Sequence, residues 1–158
     1  TAEIAAIAHI KRLRIHTRLP VVIPARIDQS FLNWATATRL KPIMVLHINH
    51  ANEIDAEVAS AIKKLTDAGM QVLNQSVLLR GINDSAVTLA ELSEVLFDCG
   101  VSPYYLHLCD PVAGAQHFDL DDLTAKQIYA ELQCLLPGFL VPKLVREIPN
   151  RQSKTLIT

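Results

Sequence analysis

Five apolar runs rich in β-branched residues recur along the chain at intervals of roughly thirty residues, with a helical pattern in each gap. This spacing is the length of one βα unit, in which a helix connects two parallel strands. Strands of a parallel sheet are buried on both faces, which explains why the runs show little polar alternation. We therefore expect an α/β fold. The predicted strands are residues 12–16, 43–48, 70–79, 102–110 and 139–148.

Amphipathic patterns predict the helices between these strands. The clearest is residues 55–68, whose apolar positions fall on one helical face and whose pattern ends at Gly69. Residues 20–24 (PVVIP) contain too much proline for a central strand. The predicted helices are residues 1–11, 30–38, 55–68, 86–98 and 123–136.

Five βα-type strands form either an open doubly wound sheet or part of a barrel. The sequence contains neither G-x-G-x-x-G nor G-x-x-x-x-G-K-[ST], so the nucleotide-binding versions of the open sheet lose support. In an α/β barrel the active site lies at the C-terminal ends of the strands. The residues at those ends are therefore the first candidates for function.

Charge and composition exclude several classes of protein. The formal net charge of -1 predicts no basic surface for nucleic acid, and no apolar stretch reaches the roughly 20 residues of a membrane span. Cys99, Cys109 and Cys134 have neither C-x-x-C nor zinc-site spacing, which indicates reduced thiols in a cytoplasmic protein. The 158 residues suit one domain, and the first residue, Thr1, suggests a chain cut from something longer.

Each predicted strand carries a polar or titratable group towards its C-terminal end. Buried polar groups are costly without partners, so this repetition indicates one shared polar site. The candidates are His16; His47, Asn49 and His50; Asn74, Gln75 and Arg80; His107 and Asp110; and Glu147, followed by Lys154.

Most of these groups also have a structural interpretation. His16, His50 and His107 are more simply core or rim residues. His47 and His50 point to opposite faces of a strand, which disfavours a metal pair.

Other candidates are explained by helix starts and surface chemistry. Asn52 with Asp55, and Asn83 with Asp84, are each able to begin the helix that follows. Arg80 would hold a phosphate or form a surface ion pair. Lys154 is by default a solvated side chain.

Several blocks of the sequence resemble one family in order and spacing. The blocks are RIHTRLPVVIPARI, HINHANEID, LNQSVLLRGIND, PYYLHLCDPVAGAQHF and LVPKLVREI followed by SK. From about His16 to Thr155 the chain resembles the lysine 2,3-aminomutase family of radical S-adenosylmethionine enzymes. Within that family the sequence of these blocks is most similar to the bacterial branch that makes (R)-β-lysine for elongation factor P.

The resemblance implies site residues. Lys154 would bind pyridoxal phosphate covalently, and Asp110 and Glu147 would bind the ammonium groups of the substrate L-lysine. His47 and Gln75 would line the S-adenosylmethionine pocket. Relatives in lysine metabolism more often have Asp where Glu147 stands, and their loop before the lysine is Gly-rich where this chain has PNRQS.

The resemblance also implies what the chain lacks. The cluster motif C-x-x-x-C-x-x-C is absent, so no metal is expected in residues 1–158, and the [4Fe-4S] cluster would be held by a missing N-terminal part. A relative's structural zinc is not expected, since Ser85 stands where a cysteine would be needed. The chain would be a single fragment, the C-terminal part of a TIM-type α/β barrel, inactive alone but part of an isomerase. The oligomeric state of that isomerase stays open, with a homo-oligomer as one alternative.

Two other functions remain open. A non-catalytic half barrel that binds a partner chain would also lack the cysteine motif. A pyridoxal-dependent barrel enzyme without radical chemistry would also use Lys154.

Overall fold

The computed structural model describes residues 1–110 and 114–157. Over these residues one sheet of six strands follows the order of the sequence, β1 to β6. Strands β1 to β5 are parallel, and β6 returns antiparallel to β5. The strands are β1 (Arg12–Thr17), β2 (Lys41–Leu46), β3 (Gln71–Val77), β4 (Ser102–His107), β5 (Lys143–Arg146) and β6 (Thr155–Leu156).

Helices connect the parallel strands. The helices are α1 (Ala2–Ala6), α2 (Leu19–Val22), α3 (Gln29–Thr36), α4 (Ala56–Asp67), α5 (Ala86–Asp98) and α6 (Asp122–Leu135). Short 3₁₀ turns cover Pro24–Arg26, Ala51–Glu53, Gln116–Phe118 and Gly138–Leu140. The longer helices begin at side-chain caps, as when Asp55 accepts from Val58 N at 2.9 Å and Asp121 from Thr124 N at 2.9 Å. None of the helices in the described ranges has the length and apolarity needed to cross a bilayer.

The helices α3 to α6 pack on one face of the sheet and form two apolar clusters there. Strand residues in register across the sheet supply that face, including Ile15 beside Met44, and Leu106 beside Leu144. Alternation along each strand turns the intervening side chains to the opposite face, which we call the inner face. The parallel sheet with crossover helices confirms the α/β class, and its open form fits a partial barrel.

One irregularity changes the register of the sheet. Asn74 pairs with Pro103, but the next residue, Gln75, pairs with Tyr105, so Tyr104 is an extra residue in β4. Such a bulge re-aims the side chains that follow it. It places Tyr105 on the inner face beside Gln75.

The element boundaries differ from prediction at both ends of the chain. The first helix stops at Ala6, and Ile4 and Ile7 are 42% and 44% exposed, so the predicted apolar stripe has no surface to pack against. The last parallel strand starts at Lys143, because Gly138–Leu140 form a 3₁₀ turn and Pro142 lacks an N–H. The segment 20–24 contains helix and turn, in agreement with the exclusion of a central strand.

Candidate active site

The inner face brings together five of the polar residues singled out in the sequence, and Tyr105 joins them. Register and alternation place them in one region, towards the C-terminal ends of β1 to β5. They are His16 in β1, His47 after β2, Gln75 in β3, Tyr105 and His107 in β4, and Glu147 after β5.

Lys154 and Glu147 form an ion pair at this face. The strands β5 and β6 pair Val145 with Leu156 and Arg146 with Thr155, so Glu147 and Lys154 are the next two residues opposite each other in the hairpin. The seven-residue separation in sequence is therefore a cross-strand contact. The ammonium group also lies 5.5 Å from the centroid of the Tyr105 ring.

The charge of Lys154 acts on its neighbours. The hydrogen bond from Lys154, together with its positive charge, lowers the pKa of Glu147, and His107 adds a smaller effect in the same direction. The Lys154 side chain is 27% exposed and that of Glu147 is 58% exposed. The site thus contains a half-buried cation opposite a carboxylate that stays ionised at neutral pH.

Asp110 and Glu147 share an open cleft of about 850 Å³. Its wall also contains Cys109, Asp119, Arg146 and residues 148–151. A smaller cleft of about 200 Å³ is lined by Glu147 and Lys154. Glu147 therefore lines both clefts, sharing the larger with Asp110 and the smaller with Lys154.

Three histidines lie on the same face. The rings of His16 and His47 meet edge to face, with centroids 6.2 Å apart, and His107 contacts Tyr105 at 5.7 Å. Burial lowers the pKa of all three imidazoles, with further contributions from Arg14 at His16, Arg18 at His47 and Lys154 at His107. The imidazoles are therefore neutral at neutral pH.

Two of these histidines carry a buried nitrogen without a partner. Within the described residues, Nε2 of His47 and Nε2 of His107 accept and donate no hydrogen bond. Buried polar atoms normally have partners. Each of these buried atoms therefore has an unused hydrogen-bonding capacity.

Other polar candidates stabilise the fold instead. Asn74 and Ser76 are buried on the helix side of β3 and bind the backbone of Ile48, just past the end of β2. Asn83 donates to Asn49 O at 2.8 Å and to Val77 O at 2.9 Å. These amides replace ladder bonds where β2 and β3 diverge.

The residues around His50 also have structural roles. Glu53 accepts from Asn49 N at 2.7 Å and His50 N at 3.0 Å, and it pairs with Arg18. The His50 ring accepts from Asn52 N at 3.1 Å and caps the turn at Ala51–Glu53. This confirms the structural interpretation of His50.

The remaining alternatives are resolved individually. Asp55 begins α4 as expected, whereas Ser85 caps α5 in place of Asn83 or Asp84. The guanidinium of Arg80 donates to the backbone oxygen of Asp119 at 2.8 and 3.0 Å and forms no ion pair within the described residues. It fastens the segment after β4 to the end of β3.

Sequence reasoning missed Tyr105. Its place on the inner face depends on the bulge at Tyr104, which leaves no signal in the sequence. A regular β4 in register with Asn74 and Pro103 would turn Tyr105 towards the helices. The short strand β6, which sets Lys154 opposite Glu147, was also not predicted.

Metal ligands are not assembled in the described part of the chain. No group of three or more His, Cys, Asp or Glu side chains in residues 1–110 and 114–157 is placed to hold an ion. The three cysteines are separate free thiols.

Comparison with known proteins identifies relatives over nearly the whole chain. It is 55% identical over 153 residues to the L-lysine 2,3-aminomutase of Escherichia coli (strain K12), covering 97% of this chain and 45% of the relative. The Haemophilus influenzae L-lysine 2,3-aminomutase is 56% identical over 150 residues, with coverages of 95% and 44%. The Clostridium subterminale enzyme of the same name is 37% identical over 155 residues, with coverages of 98% and 37%.

A solved structure has a similar fold. The crystal structure of a radical SAM methyltransferase from Sphaerobacter thermophilus matches with a TM-score of 0.57 and 17% identity, over 87% of this chain and 41% of that one. No family model matches the chain. The chain spans less than half the length of the curated relatives named above. High identity along almost all of its residues confirms the resemblance found in the sequence: the chain belongs to the lysine 2,3-aminomutase family.

Proposed function

We propose that this chain forms the part of an L-lysine 2,3-aminomutase that binds the substrate and pyridoxal phosphate. The observation that carries the proposal is the pairing of Lys154 with Glu147 beside the cleft that Asp110 shares. Relatives that bear the name L-lysine 2,3-aminomutase support it. The product would be β-lysine, and elongation factor P in the cytoplasm would receive it.

Lys154 suits the attachment of pyridoxal phosphate. The cofactor, when bound, supplies the conjugated ring that makes nitrogen migration accessible. Attachment requires an amine at the edge of a cavity, and Lys154 lines the smaller of the two clefts. Its place on a hairpin loop lets the amine move when Glu147 takes another partner.

Asp110 and Glu147 would recognise the ammonium groups of lysine. Charge-assisted hydrogen bonds to carboxylates are strong and directional. Because the two acids line the same cleft, a flexible aliphatic amine bound between them is held in a defined position. In the free protein Glu147 already binds an alkylammonium group, that of Lys154, which is chemically equivalent to the end of the substrate.

His47 and Gln75 would line the S-adenosylmethionine pocket. They follow one another across β2 and β3 on the inner face, since Leu46 pairs with Asn74. The free Nε2 of His47 fits a hydrogen bond to a bound nucleoside. The described residues offer no ligand set for an iron–sulfur cluster, so the cluster would have to be held elsewhere in the protein.

The test uses the intact protein, purified without oxygen and loaded with pyridoxal phosphate. Borohydride reduction followed by peptide mass mapping should place the label on Lys154. The variant Lys154→Ala should lose both the label and β-lysine formation, while Lys126→Ala, at an exposed lysine of α6, should keep both. A label on another residue would overturn the proposal.

A partner-binding half barrel is the second candidate. It is favoured by the open edge of the sheet, because in the described residues β1 pairs only with β2. An open parallel edge needs a cover. An intact protein that binds a partner chain but forms no β-lysine would support this function over the first.

A further inference from the structure

We infer that Tyr105 is a positioning residue for Lys154, whose ammonium group it holds over the inner face together with Glu147. The inference rests on the proposed role of Lys154 in cofactor attachment. It adds a residue that neither acts as an acid or base nor binds the substrate, but fixes where the amine lies.

The geometry is that of a cation–π contact. The Lys154 nitrogen lies 5.5 Å from the centroid of the Tyr105 ring, within the roughly 6 Å over which a ring face attracts a cation. Glu147 supplies the opposite charge to the same nitrogen. The ammonium group therefore has two partners of different chemistry.

The orientation of the Tyr105 ring is set independently of Lys154. The ring contacts Tyr104 at 3.9 Å between centroids, and His107 at 5.7 Å and 73°. The contact with Tyr104 depends on the bulge in β4, which brings two consecutive aromatic side chains together. A ring held by its neighbours can direct a mobile side chain placed above it.

The charges around Lys154 leave Glu147 as the main electrostatic partner. His107 and His16 are near enough for the lysine to contribute to their lowered pKa values, and burial keeps both neutral. The Glu147 carboxylate stays charged, because the hydrogen bond from Lys154 lowers its pKa. The ring of Tyr105 is the partner that remains when Glu147 binds a different ammonium group.

This arrangement predicts an order of events. In the free protein, carboxylate and ring hold the ammonium and protect it from reaction. When a substrate ammonium occupies Glu147, Lys154 loses its stronger partner but stays near the cleft through Tyr105. The residue thereby keeps the amine within reach of the site during exchange of partners.

The test measures protection of Lys154 in the intact, cofactor-free protein. An acetylating reagent is applied for timed intervals, and peptide mass spectrometry gives the rate at Lys154 relative to exposed Lys126. Tyr105→Met, which keeps most of the volume without the ring, should raise the relative rate about two- to fivefold. Tyr105→Phe, which keeps the ring, should match the parent, and Glu147→Gln should raise the rate as well.

Two results would overturn the inference: an unchanged rate in Tyr105→Met, or equal rates in Tyr105→Met and Tyr105→Phe. If Tyr105→Met disturbs the fold, so that acetylation rises at all lysines, Tyr105→Trp replaces it and must retain protection. Borohydride capture separates this inference from the proposed function. Capture at Lys154 without any effect of Tyr105 removes only the inference, whereas capture elsewhere removes the proposed function.

Discussion

The carboxamide of Asn74 binds both backbone groups of Ile48. Its oxygen accepts from Ile48 N at 2.9 Å, and its nitrogen donates to Ile48 O at 2.9 Å and to Ser76 Oγ at 2.9 Å. Since β2 ends at Leu46, the side chain acts there as a substitute for the neighbouring strand. It fixes the backbone that leads out of His47.

Replacing Asn74 should therefore destabilise the protein strongly. Asn74 is 1% exposed, and Asn74→Asp would remove both donated bonds and bury a charge, so we expect a loss of about 3 kcal/mol or more. Ser76→Ala removes the bond to Ile48 O and the bond accepted from Asn74, but the Asn74 nitrogen still donates to Ile48 O, so the change should cost about 1 kcal/mol. Urea unfolding of the intact protein measures both. Equal losses in the two variants would contradict the role of Asn74 in binding both backbone groups of Ile48.

The two hydrogen bonds from the Arg80 side chain to Asp119 O, which we call the clamp, should influence substrate affinity from a distance. Arg80→Ala releases the backbone oxygen of Asp119, at the far end of the segment that begins at Asp110, and keeps the backbone bond from Arg80 N to Phe118 O. We expect KM for lysine to rise by roughly threefold to tenfold, with a smaller change in kcat, since loss of ordering weakens binding.

A matched control exists for the clamp. Arg39 makes the same kind of contact, donating to Ile7 O and Ile10 O at 2.7 Å, but near the start of the chain. Arg39→Ala should leave KM unchanged. A KM that moves equally in both variants would show a general effect on stability and not a role for the segment.

Substitutions of the acids in the cleft should change KM for lysine by different amounts. Asp110→Asn and Glu147→Gln each remove one carboxylate proposed to bind the substrate, and on that proposal we expect KM for lysine to rise by about tenfold or more. Asp119→Asn changes an acid in the wall of the same cleft and should alter KM less than about twofold. Steady-state kinetics of the intact protein distinguish the three. A large effect at Asp119 would place the substrate elsewhere in the cleft.

Stability should fall as the pH drops through the histidine range. The pKa values of His47 and His107 are lowered in the folded state, mainly by burial. As the pH falls below about 6.5, the ordinary pKa of an imidazole, the unfolded chain therefore binds more protons than the folded protein. The stability contributed by the neutral rings is complete above about pH 6.5 and is lost as the pH falls through the lowered folded-state values.

Urea midpoints at pH 7.5 and pH 5.5 test this dependence. His107→Asn should reduce the difference between the two midpoints, because one titrating ring is removed. His9→Gln, at an exposed position of the N-terminal segment, should leave the difference as it is. A difference that stays unchanged in His107→Asn would show that His107 does not contribute to the acid sensitivity.

The sequence predicts the parallel strands well, because β-branched runs and helix stops are local signals. The site is partly predictable for the same reason: strand ends in a parallel sheet meet at one rim, which places His47, Gln75 and Glu147 together. The roles of Asn74 and Asn83 were not predictable, because an amide that replaces ladder bonds has the same sequence signature as one that binds a ligand.

The contact between Glu147 and Lys154 illustrates a different limit. Its hairpin lacks an Asn-Gly or Asp-Gly turn, and its return strand has only two residues, so neither periodicity nor turn chemistry indicates it. Asn150, with φ of 65°, supplies the left-handed turn residue that Gly usually provides. Tyr105 escaped prediction because a bulge is set by tertiary packing.

The pairing of β6 with β5 limits where insertions can occur in related chains. Residues 148–153 form the tip of the hairpin between strands β5 and β6, so insertions there lengthen the tip without moving the lysine. A single residue inserted between Lys154 and Thr155 would instead turn the amine to the opposite side of the sheet. We therefore expect length variation among homologues to accumulate in the tip, and the step from the lysine to the strand to keep a constant length.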